Sequence, residues 1–495
     1  MGSGRYWLHT LGCPKNQVDS DKLAGVLARD GYSPAGEPAD ADLVVVNTCA
    51  FIEAARQESV EAVLDLAEAR RPGARLVVTG CMAERYGEEL ARALPEVDLV
   101  AGFGQSLAAP PAHLPPPAPG VPVELGRRPL AGAAARAPAG GALEGADAGR
   151  FDLLELPRPP AGSPWAYVKV AEGCDRICGF CAIPSFRGPQ RSRSTSAVLE
   201  EVRALVGGAH GRPGVLEVVL VAQDLASFGR DRSRSGPGTG NTGKEHLEHA
   251  RQGASPIVEL VRAVAAEAAR TRLLYLYPSA LTDELVEAVL GTGVPYFDLS
   301  LQHVSRPLLV AMRRWGDGER FLRRIEAIRR VEPNATFRSS FILGYPGETE
   351  EDHDELLAFL EAAELDWAGF FPFSPEEGTH AAGLDGQVPP ELALERLREC
   401  AELQDRITAR RRDALVGRRE AVLVDEPGIG RTVHEAPEID GVVRIPADLP
   451  VGSIMDMEVT GSLGVDLVAV PLGGATEGGH RGATVATAPP GTGGR

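Results

Sequence analysis

The sequence predicts an α/β multidomain protein: an N-terminal parallel α/β domain, a partial β/α barrel and a small C-terminal antiparallel β barrel. Three observations carry this. Buried-strand runs alternate with helical spacing over residues 1–104 and again from 165 to about 380, the rhythm of βα units around parallel strands. Residues 418–470 break instead into short β-rich runs separated by turn residues, as in a small closed barrel. At 495 residues the chain is too long for one ordinary domain, and its 43% hydrophobic content can fill several cores.

Taken in order, the first domain is expected over 1–106. DLVVVNTC (42–49) and RLVVTGC (75–81) are apolar runs of buried strands, LPEVDLVAGF supplies a third, and FIEAARQESVEAVLDLAEA has helical spacing. Residues 107–160 are rich in Pro, Ala and Gly, the composition of a linker. The barrel is expected over 161–390. Its six strands are YVKVAEG, VLEVVLVAQD, LLYLYPS, YFDLSLQH, TFRSSFILG and WAGFFPFS. The polar, Gly-rich stretch 229–255 reads as a disordered insertion. A connecting helix fits 391–417, the small barrel 418–471, and a disordered tail 472–495.

The net charge of −18 argues against a chain built mainly to neutralise phosphates. No run of ~18 apolar residues is present to span a membrane, and the start MGSGRYWLHTLGC lacks the pattern of a secretory signal. A soluble cytoplasmic protein, monomeric by default, is the expectation. Seven cysteines in such a chain read as metal-binding or catalytic residues.

Six of the seven fall into two trios. EGCDRICGFCAIPSFRG (172–188) places Cys174, Cys178 and Cys181 just after the first barrel strand, at the end where such barrels carry their active sites. Cubane iron–sulfur clusters usually take four cysteines, so three leave one iron open to a small molecule. The alternative is a zinc loop completed by His303 or Cys400, both distant in sequence. Cys13, Cys49 and Cys81 each fall at or just beyond a strand, in WLHTLGC, DLVVVNTC and RLVVTGC. In a parallel sheet those ends share one edge, so a second site-open cluster competes with three buried structural cysteines. Cys400 lies on a helix face with Leu397, Leu403 and Ile407 and reads as a small buried hydrophobe.

The spacing of Cys174, Cys178 and Cys181, with Phe180 before the last, resembles the radical S-adenosylmethionine (SAM) superfamily. Two trios and a terminal barrel together resemble the radical SAM methylthiotransferases, from about residue 5 to 470. LGCPKNQVDS, AEGCDRICGFCAIPSFRG, LQH, FILGYPGETEED and EAPEIDGVV look like the RimO-type branch, which methylthiolates the β-carbon of an aspartate in ribosomal protein S-twelve. The resemblance implies an N-terminal methylthiotransferase domain, a radical SAM domain and a TRAM domain. It also implies two [4Fe-4S] clusters and S-adenosyl-L-methionine. Cys174, Cys178 and Cys181 would hold the SAM-binding cluster, and Cys13, Cys49 and Cys81 the auxiliary cluster whose open iron takes the sulfur. One SAM would give the methyl group and another the radical that abstracts hydrogen from an unactivated carbon, a bond poorly suited to acid–base chemistry. SAM contacts are expected from Gln223 and Asp224, and from the turn Gly344, Pro346, Gly347 and Glu348, which reads equally well as purely structural. Thr349 with Asp352 looks like a capping box after that turn. Leu225, Phe228 and Ser300 stand where the family often has Thr, Tyr and Pro.

The implied partners are ribosomal protein S-twelve or the small ribosomal subunit, an electron donor and a sulfur source. TRAM domains are usually associated with RNA, but residues 418–470 hold four arginines, no lysine, ten acidic residues and no Phe, Tyr or Trp. Such a barrel lacks the cations and stacking platforms of an RNA binder and suits a basic protein. A tRNA methylthiotransferase would instead use a basic strip at Arg187, Arg191 and Arg193. A non-catalytic iron–sulfur or zinc scaffold for ribosomal components is the third reading.

Overall fold

The computed structural model describes residues 4–107, 152–234 except His210 and Arg212, and 255–472. Most of the expected linker, most of the expected insertion and nearly all of the tail lie outside the described residues. Within them, Leu153–Glu155 is a short 3-10 helix and Arg230–Arg234 is helical. Among the described residues no helix is long and apolar enough to cross a membrane.

The first region is a five-stranded, all-parallel sheet in the order Ser33–Pro34, Arg5–Thr10, Leu43–Thr48, Arg75–Gly80, Leu99–Val100. Leu43–Thr48 is buried throughout, which is why its sequence is a continuous apolar run rather than an alternating one. The third expected strand shrinks to Leu99–Val100. Helices Pro14–Arg29, Glu53–Ala69 and Cys81–Ala93 link the strands.

The second region is an open half-barrel. Trp165–Lys169, Glu217–Val221 and Arg270–Leu273 form one parallel sheet, and Tyr296–Gln302, Thr336–Leu343 and Trp367–Pro372 another. A parallel bridge between Leu276 and Leu299 joins them, so six strands follow one another in chain order. The helix Glu350–Ala363 opens with the expected Thr349–Asp352 capping box. Cys400 is fully buried in the main core, on the helix Pro390–Asp413.

Five strands then close a barrel in the order Arg419–Glu426, Ile429–Arg431, Val443–Arg444, Asp466–Pro471, Ile454–Leu463. Four pairings are antiparallel, as expected, and Val443–Arg444 pairs in parallel with Asp466–Pro471. This barrel docks at the starts of the half-barrel strands. Arg431 pairs with Glu217 at 3.0 Å, Arg412 with Glu435 at 2.5 Å, His434 meets the Thr336 hydroxyl at 2.7 Å, and the Tyr167 hydroxyl donates to the Pro437 carbonyl at 2.8 Å. EAPEID is therefore an internal docking segment. Asp425, Glu435, Asp440 and Asp466 all pair with arginines. The free acidic face is thus smaller than composition alone indicates.

Candidate functional site

Cys13, Cys49 and Cys81 stand just past the ends of three neighbouring parallel strands. Strands lie about 4.8 Å apart, so topology alone sets the three thiols side by side. A Cβ on Gly12, which has φ +93°, would fall 2.9 Å from Cys49 Cβ. That close approach is open only to glycine. Cys13 caps one helix and Cys81 begins another, and the positive helix N-termini favour thiolate. Asn16 ties the edge together: its amide donates to the Leu11 and Thr48 carbonyls at 2.9 and 3.0 Å. Burial raises the Cys13 thiol, but Lys15 and then Arg187 more than offset it, leaving it below its ordinary value. Burial, followed by Cys13 and Cys81, pushes Cys49 up to about 12.

The second trio sits in the loop after Trp165–Lys169. Gly173 has φ +77°, and a Cβ there would fall 2.2 Å from the Pro189 carbonyl oxygen, so the entry to the loop requires glycine. Gly179 N–H donates to the Met312 carbonyl at 2.8 Å, and Ala381 N–H to the Gly179 carbonyl at 2.8 Å. Burial pushes Cys174 up to about 11 and Cys181 to about 12. Thiolates here need a cation, which the irons of a cluster would bring.

The surroundings suit an anionic thiolate site with a ligand beside it. Arg314 donates to Cys178 Sγ at 3.3 Å and Arg176 N–H to Cys174 Sγ at 3.4 Å. Both guanidinium groups lie on Tyr277, at 3.9 Å for Arg176 and 4.3 Å for Arg314. Asp224 accepts from Arg176 at 2.6 Å, and Gln223 donates to Glu172 at 2.8 Å. Asp224 Oδ1 and Gln223 Oε1 are buried without a hydrogen-bond partner among the described residues, so both acceptors are open to a donor group of a bound ligand. The turn after Thr336–Leu343 is firmly braced. Glu348 accepts from the Gly344 and Tyr345 N–H groups at 2.5 and 3.1 Å, and a Cβ on Gly344 would fall 2.5 Å from Ala393 Cβ. Pro346 is buried and Gly347 exposed. The Tyr345 hydroxyl donates to the Ala311 carbonyl at 3.0 Å, beside Gly179, so this turn supports the cysteine loop. Leu225 and Phe228 are core residues, and the Ser300 carbonyl accepts from Arg314.

Among the described residues, no three His, Cys, Asp or Glu side chains converge on one metal ion. Zinc needs such convergence, whereas each cysteine of a cubane takes a different iron. Neither suggested fourth zinc ligand is at hand: Cys400 is in the core, and His303 is fully buried facing Asp352, His353 and Arg396.

Arg187 joins the two trios. Its guanidinium donates to Cys81 Sγ at 3.0 Å, Asn16 Oδ1 at 2.7 Å, Asp19 at 3.2 Å and Glu172 at 2.9 Å. Lys169 completes the cluster on Asp19 and Glu172. The supposed basic strip is therefore not a phosphate-facing surface. Arg187 and Arg193 are buried, the latter paired with Glu201 at 2.7 Å, and Arg191 pairs with Asp152 at 2.5 Å. Sequence reading gave no role to Lys15, Asn16 or Glu172; their only signal was adjacency to a cysteine.

Residues 168–360 match the radical SAM superfamily, 5–102 match a family described only as uncharacterised protein family UPF0004, and 416–472 match the TRAM domain. The fold and these matches define a radical SAM enzyme with a TRAM barrel, a class that uses a [4Fe-4S] cluster and SAM. The chain is 40% identical to "Ribosomal protein uS12 methylthiotransferase RimO" of Cutibacterium acnes over 94% of this chain and 97% of that one. It is 41% identical to the protein of the same name from Streptomyces avermitilis, with 94% and 97% covered, and 40% identical to that of Moorella thermoacetica, with 91% and 95% covered. The chain belongs to the RimO family of methylthiotransferases.

Proposed function

We propose that this chain places a methylthio group on the β-carbon of an aspartate in ribosomal protein uS12. In this reading Cys174, Cys178 and Cys181 hold the cluster that binds SAM, and Cys13, Cys49 and Cys81 hold a second [4Fe-4S] cluster. The observation that carries it is Arg187: one buried guanidinium touches Cys81 and also Glu172, two residues before Cys174. That contact supports two three-thiol sites sharing a wall, as radical formation and sulfur insertion on one carbon would require. When bound, the clusters and SAM supply the electron, the methyl group and the sulfur transfer.

The protein's own residues bind, orient and exclude water. Gln223 and Asp224 offer their unpartnered acceptors to SAM. Arg176 and Arg314, stacked on Tyr277, neutralise the thiolate loop. Gly344, Pro346, Gly347 and Glu348 hold the SAM side of the loop in place. The enzyme works as a cytoplasmic monomer on free uS12 or the small ribosomal subunit, served by an electron donor and a sulfur source.

The test is anaerobic reconstitution of the full chain beside a Cys174→Ala/Cys178→Ala/Cys181→Ala variant. About eight irons per chain are expected, falling to about four in the variant. Only the intact protein should form 5′-deoxyadenosine from SAM and dithionite and modify a uS12 peptide. Bound zinc, or loaded and reduced clusters that never cleave SAM, would sink the reading.

A further inference from the structure

Lys15 is 8% exposed. Among the described residues its ammonium makes no ion pair or hydrogen bond; its one recorded polar contact is the face of Tyr275, 3.2 Å from the ring centroid. Every other buried cation around the cysteines is matched. Lys169 has Asp19 and Glu172, and Arg187 has those two carboxylates together with Asn16 and Cys81. Asp298, the half-barrel acid that acts on Lys15, already accepts from Arg338 at 3.2 Å and from Tyr275 N–H at 2.9 Å. Burying an ammonium unpaired costs more than one ring face returns. Inside the chain the negative groups that face it are the Cys13 and Cys81 thiols and Asp298, and none of them forms an ion pair with it among the described residues, so a carboxylate brought from outside the chain would complete the site.

Its position says which partner fits. Lys15 follows Cys13 by two residues at the start of Pro14–Arg29, and its side chain crosses to Tyr275, just beyond the end of Arg270–Leu273. The ammonium therefore lies at the junction of the first cysteine trio and the strand ends of the half-barrel, where the second trio's loop also sits. Tyr275 is held at φ +65°, a left-handed conformation unusual for a tyrosine, so the ring platform is built at a cost to the backbone. Arg187 makes the hydrogen bond to a thiol, whereas Lys15 acts on Cys13 only through its charge, so the ammonium's own hydrogen-bond donors remain open to a substrate.

We propose that Lys15 receives the carboxylate of the acidic side chain being modified and fixes its β-carbon between the two trios. The inference rests on the function proposed above and adds the residue that selects an acid over its amide. It is tested on iron-loaded full-length protein with two fluorescent peptides that differ only in aspartate or asparagine at the target position. The intact protein should bind the aspartate peptide about tenfold or more tightly than the asparagine peptide. Lys15→Met should bring that ratio close to one, with affinities counted per iron-loaded chain, while Lys15→Arg should keep a clear preference. The inference is overturned if Lys15→Met retains the full preference, or if the intact protein modifies aspartate without preferring to bind it. Failure of the intact protein to modify the aspartate peptide at all would sink the proposed function and this inference together.

Discussion

The two cysteine trios reach similar donor sets by opposite routes. Cys174, Cys178 and Cys181 come from one short loop, and all three are partly exposed. Cys13, Cys49 and Cys81 come from three strands separated by whole helices, and Cys49 and Cys81 are buried. The loop trio depends on local backbone: a glycine at its entry and straps to Met312 and Ala381. The sheet-edge trio depends on register, because its thiols meet only when three parallel strands pair correctly. Their charge differs too. The difference is confined to Cys13, which Lys15 and Arg187 hold below its ordinary value, whereas burial raises Cys49, Cys81, Cys174 and Cys181 alike. One site is fixed by a loop and the other by a sheet, with Arg187 between them.

That contrast can be broken most sharply at the two glycines. Gly173→Ala sets a Cβ 2.2 Å from the Pro189 carbonyl oxygen, and Gly12→Ala sets one 2.9 Å from Cys49 Cβ. Each is expected to lose about half the iron, the first with all SAM cleavage and the second with SAM cleavage retained but sulfur insertion lost. Iron analysis and 5′-deoxyadenosine assays on both variants check this; a loss at both sites from either change would show that the sites are not independently built.

Arg187→Leu should act on both sites at once. It leaves Lys169 as the cation shared by Asp19 and Glu172, and removing one partner from a buried ionic network typically costs about 3–5 kcal/mol. Denaturant unfolding of the metal-free protein should report a loss of that order, with iron falling at both trios. Asn16→Ala should cost less, about 1–3 kcal/mol, by stranding the Leu11 and Thr48 carbonyls. Its iron loss should be confined to the sheet-edge site.

The smallest effect on iron is expected from His303→Asn, because His303 belongs to neither site. Burial holds His303 at about 4, with Asp352 raising it and His353 and Arg396 lowering it. Its ordinary value is 6.5, so between those pH values the unfolded chain binds the proton and the folded chain does not. Its contribution to stability is therefore present above pH 6.5 and lost as pH falls toward 4. Unfolding of the variant across that range should lack this acid-side loss while iron stays unchanged; loss of iron would return His303 to the ligand set.

Much of this was legible beforehand because it is local. Apolar runs of the right length marked five of the six half-barrel strands and the two central cysteine-bearing strands of the N-terminal sheet, Thr349 and Asp352 marked a helix start, and the face shared with Leu403 marked Cys400 as core; the run LLYLYPS missed its strand, which is Arg270–Leu273 and carries two arginines paired with the C-terminal barrel and Glu217. The acidic count of the last barrel misled in part, since Glu435 and Asp440 face arginines of the half-barrel and its following helix rather than solvent. Arg187 could be placed in a basic strip by the tRNA alternative because nothing local distinguishes a buried guanidinium from an exposed one; three of its four partners come from the N-terminal domain.

By itself the sequence determined the order of the three regions and the two cysteine trios, since strand period and ligand spacing are properties of neighbouring residues. Only the tertiary structure decided that the strands before Cys13, Cys49 and Cys81 are immediate neighbours, that Arg187 joins that edge to the cysteine loop, and that Lys15 lies buried without an ion pair among the described residues. Those facts depend on which strands pair and which helix crosses to which domain. Electrostatic partnership is set by distance in space, and the chain order does not contain it.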